Sequence, residues 1–202
     1  IIRSSGDANN TIIDGSLGRG LGSTVVIRPK SGSLHKPQVE IDGFGISNGQ
    51  GTDMIDKTIT FPNGQHPIEK NGGGMLIYVN NPKVNNCKFT NNGISSTGKG
   101  GAVYAISSGE DSDFSTRDDY EDADGLTPAN GPLDLSNNVF SSNDAAIGLS
   151  VFITGFDTIN DLSSCGFDVY NAELEGSSEF WVKGLNSDFD QSGGSGNNTA
   201  LI

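Results

Sequence analysis

"NNCKFTNNGISSTGKGGAVY" occupies residues 85–104. An aromatic residue, Phe89, is followed three positions later by Asn92, and then by a glycine pair that leads into an apolar run. The same order returns along the chain. Five segments can be superposed: "IIDGSLG" from Ile12, "EIDGFGISNG" from Glu40, "KVNNCKFTNN" from Lys83, "DLSNNVFSSN" from Asp134 and "DLSSCGFDVY" from Asp161. One apolar column reads Ile13, Ile41, Val84, Leu135, Leu162. Two positions on it reads Gly15, Gly43, Asn86, Asn137, Ser164, and five positions on Gly18, Ile46, Phe89, Phe140, Phe167, where the first member breaks the column. A second series, "GGGMLIYV" from Gly72, "GGAVYAI" from Gly100 and "DAAIGLSVFI" from Asp144, sets small residues before an alternating apolar run.

Self-similarity at a period of roughly 20–50 residues marks a solenoid, because a unit that cannot bury its own apolar face must stack on its neighbours. The shortest spacings, Ile13 to Ile41 and Leu135 to Leu162, leave room for three short strands and three turns per coil. Small residues let the backbone bend between faces. Asparagine tolerates left-handed turns and can bond the backbone of an adjacent rung. Phe89 is therefore expected to point inward, Asn92 to end its strand in the left-handed conformation, and Gly100 and Gly101 to turn the corner into the next strand.

Composition agrees with an all-β reading. Apolar residues are 33% of the 202, and glycine alone accounts for 29. The apolar runs are strand-length, rich in β-branched residues and bounded by Gly, Asn, Asp or Pro. No window of ten or more residues carries a helical period. The formal charge of −13 disfavours nucleic acid and anionic membranes as partners and attracts divalent cations. No apolar stretch approaches the roughly 20 residues that span a bilayer. The chain is expected to be one domain over residues 1–202, and part of something longer.

The segments "NTIIDG", "EIDGFGISNGQG", "GGGMLIYVNNPKVNNCKFTNN" and "GGAVYAI" resemble bacterial right-handed parallel β-helix repeats of the pectate-lyase-like superfold. The order F-x-x-N followed by G-G-A also resembles the repeats of polymorphic outer-membrane and autotransporter-type surface proteins. The resemblance spans roughly residues 10–170. It implies a right-handed parallel β-helix and a secreted or cell-surface, bacterial setting. It does not imply one activity, since that superfold serves lyases, hydrolases, adhesins and tailspikes alike.

Two coils carry surplus length, at residues 52–71 and 108–132. The first precedes a glycine-led strand and the second follows one, so the two are expected to leave at different corners. The second is acidic, and its Asp118, Asp119, Asp122 and Asp124 are the candidate ligands for calcium, which takes six to eight oxygens. The frame is not that of an EF-hand, and a solvated acidic loop is the plainer alternative. Asp14 and Asp42, each in an Ile-Asp-Gly triplet, are expected to be column neighbours serving as turn formers.

No motif for nucleophilic, phosphate or zinc chemistry is present. His35 and His66 have no partner at ligand spacing, and no basic residue matches the pectate-lyase active-site motif. No catalytic residue is assigned. Cys87 and Cys165 share a column with Asn138 between them. Rungs about 4.8 Å apart put their Cα atoms roughly 9–10 Å apart, beyond the reach of a disulfide, so both are expected as buried thiols. Trp181 is expected in a further strand, and "TALI" at the end of the chain in the beginning of another.

The leading expectation is a secreted or surface structural or adhesive module, with polysaccharide or other surface proteins as partners. The alternatives are a polysaccharide lyase or glycosidase, and a subunit joined end to end to another chain or to more of its own.

Overall fold

The computed structural model describes residues 1–17, 22–29, 38–56, 59–94, 97–107, 112–114, 133–154, 156, 164–167, 180–183 and 200–201. These residues are all-β. A 3₁₀ turn at Gly15–Leu17 follows the second strand.

The chain visits three parallel sheets in rotation. β1 (Ile2–Arg3), β2 (Ile12–Asp14) and β3 (Val25–Ile27) begin the first, second and third sheets. β4 (Glu40–Asp42) and β5 (Gly45–Ser47) join the first and second. β6 (Thr52–Asp56) and β7 (Ile68–Asn71) then intervene before β8 (Met75–Tyr78) joins the third. The next round is β9 (Lys83–Asn85), β10 (Lys88–Thr90) and β11 (Val103–Ile106), followed by β12 (Ser112–Phe114) outside the rotation. Asp134 bridges Lys83 in place of a full strand, and β13 (Val139–Ser141) and β14 (Val151–Thr154) complete that round. β15 (Gly166–Phe167) extends the second sheet; β16 (Phe180–Lys183), which holds Trp181, and β17 (Ala200–Leu201) extend the third.

Register places like residues in contact. Ile46 pairs with Ile13 on one side and Phe89 on the other, and Phe140 joins Phe89 to Phe167. The Phe89 and Phe140 rings stack with centroids 5.1 Å apart, inside a core that also holds Ile41, Val84 and Leu135. Such a pair contributes about 0.5–1.5 kcal/mol beyond its buried area.

The register corrects the alignment of the first repeat. Ile13 sits beside Ile46, not Ile41, and the partners of Ile41 are Ile2 and Val84. Asp14 therefore faces Ser47, while Asp42 lies between Arg3 and Asn85, so the two aspartates are not column neighbours. The cause is a longer first corner. Two residues separate β4 from β5, whereas eight separate β1 from β2, folded by Asp7, whose carboxylate accepts from the Asn9 and Asn10 amides. Leu162 lies outside the described residues.

The corners repeat as strictly as the strands. Gly43, Asn86 and Asn137 have φ of 79°, 53° and 58° between the first and second sheets, and Asn48, Asn91 and Ser142 have φ of 58°, 54° and 53° after the second. The left-handed residue after β10 is thus Asn91, not Asn92. Asn92 is fully buried, and its amide is spent on the backbone: Oδ1 accepts from Gly49 N–H, and Nδ2 donates to Ile46 C=O and to Asn143 Oδ1. Asn143 repeats the arrangement, accepting from Asn92 N–H and donating to Phe89 C=O. Asn138 does the same at the preceding corner, taking Cys87 N–H and donating to Val84 C=O.

The glycine corner is fixed by close backbone approach. Gly72, Gly100 and Gly148 have φ of 63°, 69° and 62°. A Cβ on Gly49 would lie 1.8 Å from Gly73 O, and one on Gly73 would lie 2.2 Å from Gly101 O. Cys87 and Cys165 are both buried thiols, and burial pushes the Cys87 thiol pKa up.

In the third sheet β8, β11 and β14 are buried on both faces. Met75, Ile77, Val103, Ala105, Val151 and Ile153 point into the main core. Leu76, Tyr78, Tyr104, Ile106 and Phe152 form a second cluster with Met54 of β6, with Tyr104 and Phe152 stacked at 5.3 Å. β6 pairs antiparallel with β7 and, on its other edge, with β12. The two surplus segments leave at different corners, one before β8 and the other after β11, yet strands from both meet in one antiparallel sheet. Lys99 pins this layer, with Nζ 2.5 Å from Asp56 Oδ2 and 3.1 Å from Glu69 Oε2. Burial pulls its pKa down, but the two carboxylates outweigh that and hold it above the ordinary lysine value.

Asn92→Ala is expected to cost about 2–4 kcal/mol, because it strands a buried amide and carbonyl. Asn91→Ala, at an exposed left-handed position, is expected to cost about 1 kcal/mol, and Asn91→Gly about nothing. Urea denaturation of the three variants checks the order; equal losses at Asn91 and Asn92 would contradict the assignment of roles.

Candidate functional site: a cleft on the second sheet

Alternation along the second sheet turns Ile46, Phe89 and Phe140 inward, so their neighbours face out. The outward positions form two columns. Ile12, Gly45, Lys88 and Val139 make one; Asp14, Ser47, Thr90 and Ser141 make the other. Thr90 Oγ1 lies 3.3 Å from Ser141 Oγ in the hydroxyl column. The left-handed corners add Asn48 and Asn91 alongside.

Two depressions meet at Asn48 and Asn91. One, of about 630 Å³, is walled by Ser16, Gln50, Lys70 and Ile94; the other, of about 240 Å³, lies between Asn9, Ile12, Lys88 and Thr90. The wall of both lobes is mostly apolar, and it carries hydroxyl and amide groups and a lysine in each lobe. Lys88 Nζ donates to Asn9 Oδ1 at 3.2 Å, and Lys70 pairs with Asp53 at 3.0 Å. Such a surface can exchange hydrogen bonds with hydroxyl-rich ligands and hold an anionic group at either lysine.

The sequence-level candidates fall elsewhere. Asp118, Asp119, Asp122 and Asp124 lie outside the described residues, as does His35. Among the described residues no three His, Cys, Asp or Glu side chains gather as a metal site. His66 is half-buried on the β6–β7 hairpin, with Nδ1 2.8 Å from Ile59 O. Asp14 is a turn former at the rim: its Oδ1 accepts from Ser16 N–H and from Asn48 Nδ2, and the Asn48 bond leads in lowering its pKa. Asp42 instead ties two side chains, accepting from Asn86 Nδ2 at 2.7 Å and from Arg3 Nε at 2.8 Å. The cleft was not among those candidates, although the triplets "ISN", "FTN" and "FSS" at residues 46–48, 89–91 and 140–142 carry its signal.

The chain matches no family model, no curated protein and no solved structure.

The hydrogen bond from Asn86, opposed by partial burial and aided by Arg3, holds the Asp42 carboxyl below its ordinary value of 3.8. A lowered folded pKa stabilises above the unfolded value and is lost as pH falls through the folded one. Asp42→Asn is therefore expected to be less stable than the parent at pH 7, with the gap closing as pH drops below about 3.8. Urea midpoints across that range check it; a gap independent of pH would refute the ion-pair role.

Proposed function

We propose that this chain is a right-handed parallel β-helix module that serves as a secreted or cell-surface structural and adhesive element, and that its cleft on the second sheet binds glycan. The carrying observation is the hydroxyl and asparagine surface of that cleft, repeated rung by rung on a rigid frame. A polysaccharide is itself a linear repeat of hydroxyl groups, so equally spaced donors and acceptors suit it. Lys70 and Lys88 favour chains with acidic sugars, which the −13 charge elsewhere repels.

The rotation of the chain through three parallel sheets supports the β-helix reading, since a strand that crosses to a parallel neighbour does so right-handedly in nearly all proteins. Its resemblance to surface-protein repeats supports the location. Calcium at Asp118, Asp119, Asp122 and Asp124 and end-to-end packing remain part of the proposal as accessory features.

A glycan array and a polysaccharide-degradation screen, each with and without calcium, test the reading. Retention of acidic or neutral polysaccharide without turnover is expected. Lys88→Ala and Thr90→Ala should each weaken it several-fold, as loss of one or two hydrogen bonds does. Unsaturated or shortened products would replace the adhesive reading with that of a lyase or glycosidase, and no retention at all would remove the glycan.

A further inference from the structure

Under the antiparallel layer three charged side chains converge. Met54 and Asp56 lie on the same face of β6, and Glu69 is paired with Met54 across the hairpin, so both carboxylates point toward the third sheet. Lys99 comes up from below, held by backbone bridges to Asn71 and Ile147. Its side chain is 17% exposed, that of Asp56 5% and that of Glu69 14%. Nζ lies 2.5 Å from Asp56 Oδ2, closer than the roughly 2.7–2.9 Å usual for a charged N–H···O bond, and 3.1 Å from Glu69 Oε2. The Phe152 ring, stacked on Tyr104, closes one side with its centroid 5.9 Å from Nζ.

We propose that Lys99 and Asp56 are the two halves of an intramolecular isopeptide bond, with Glu69 as the proton carrier. An amine, a carboxyl group and a second carboxylate are already in contact, and water is largely excluded from them. Proximity of this kind replaces an encounter between separate molecules and so removes much of the barrier to amide formation.

The step balances without a co-reactant. One proton moves from the Lys99 ammonium to Asp56, turning an ion pair into a neutral amine and a neutral acid. Burial disfavours the charged pair relative to the neutral one. Nζ attacks Cγ of Asp56, and Glu69 takes the proton that the nitrogen sheds. Glu69 then gives that proton to the departing hydroxyl, so the Nζ–Cγ bond forms, the Cγ–Oδ2 bond breaks and one water leaves. At rest the two carboxylates favour the ammonium, so the neutral pair is the minor state and the bond forms slowly, after folding has assembled the site. The product ties the loop end of β6 to the segment leading into β11. This proposal is independent of what the cleft binds.

The test is intact-mass measurement and peptide mapping of the full chain, purified and then held folded at neutral pH. The expected result is a chain one water lighter than its sequence, no tryptic cleavage after Lys99, and a branched peptide joining Lys99 to Asp56. Lys99→Arg, which keeps the positive charge, and Asp56→Ala should both retain the full mass, and Glu69→Gln should retain it over the interval in which the parent converts. A parent chain that stays at full mass overturns the proposal. So does a water loss that maps elsewhere, such as a succinimide at one of the Asp-Gly pairs, or one that persists in Lys99→Arg. The parent's peptide map decides the matter even if a variant fails to fold.

Discussion

Parallel strands stacked in register need every corner to bring the chain back at the same height. That forces a few backbone amides and carbonyls into the interior with no strand to pair them. Asn92, Asn143 and Asn138 solve this by acting as substitute backbone: each buried amide bonds main-chain groups of its own or an adjacent rung. An unmet buried polar group costs far more than a made hydrogen bond returns. The corners therefore set the register, and the apolar columns then fill the space the corners define.

The third sheet shows what this frame permits. Its outer face carries large apolar residues that would stand in water if the chain formed only the three-sheet rotation. The insertion strands cover them, and Met54 joins Tyr104 and Phe152 in a second core. The cost of placing Lys99, Asp56 and Glu69 at the edge of that core is offset by their mutual contact. The second sheet has no such cover, and its outward columns, one of them hydroxyl-bearing, remain accessible as the cleft.

Much of the frame was legible in the residues. Phe89 and Phe140, Gly72 and Gly100, and the pairing of Cys87 with Asn138 all follow from repetition, because stacking converts sequence columns into contacts. The first repeat was misplaced because Ile-Asp-Gly occurs at two different corners, and a triplet cannot reveal how many residues the preceding turn holds. Asn91 and Asn92 were confused for a similar reason: composition says that asparagine belongs at the corner, while only the φ angles and burial show which one twists and which one bonds inward. The second core had a signal in the unbroken runs "GMLIYV" and "GAVYAI", since strands covered on both faces lose their polar alternation. The cleft and the Lys99 cluster were not legible, because each gathers residues from segments whose meeting depends on where the insertions fold.

The shared antiparallel sheet changes how this chain can vary. Segments that leave a regular frame are usually the places where length drifts freely. Here β12 reaches β6 from a different round of the chain, and its register is Ser112 against Asp56 and Phe114 against Met54. A one-residue slip of β12 against β6 would break that register. The two insertions are thus tied to each other through β6, and a change that shifts the strand of one must be matched by the other.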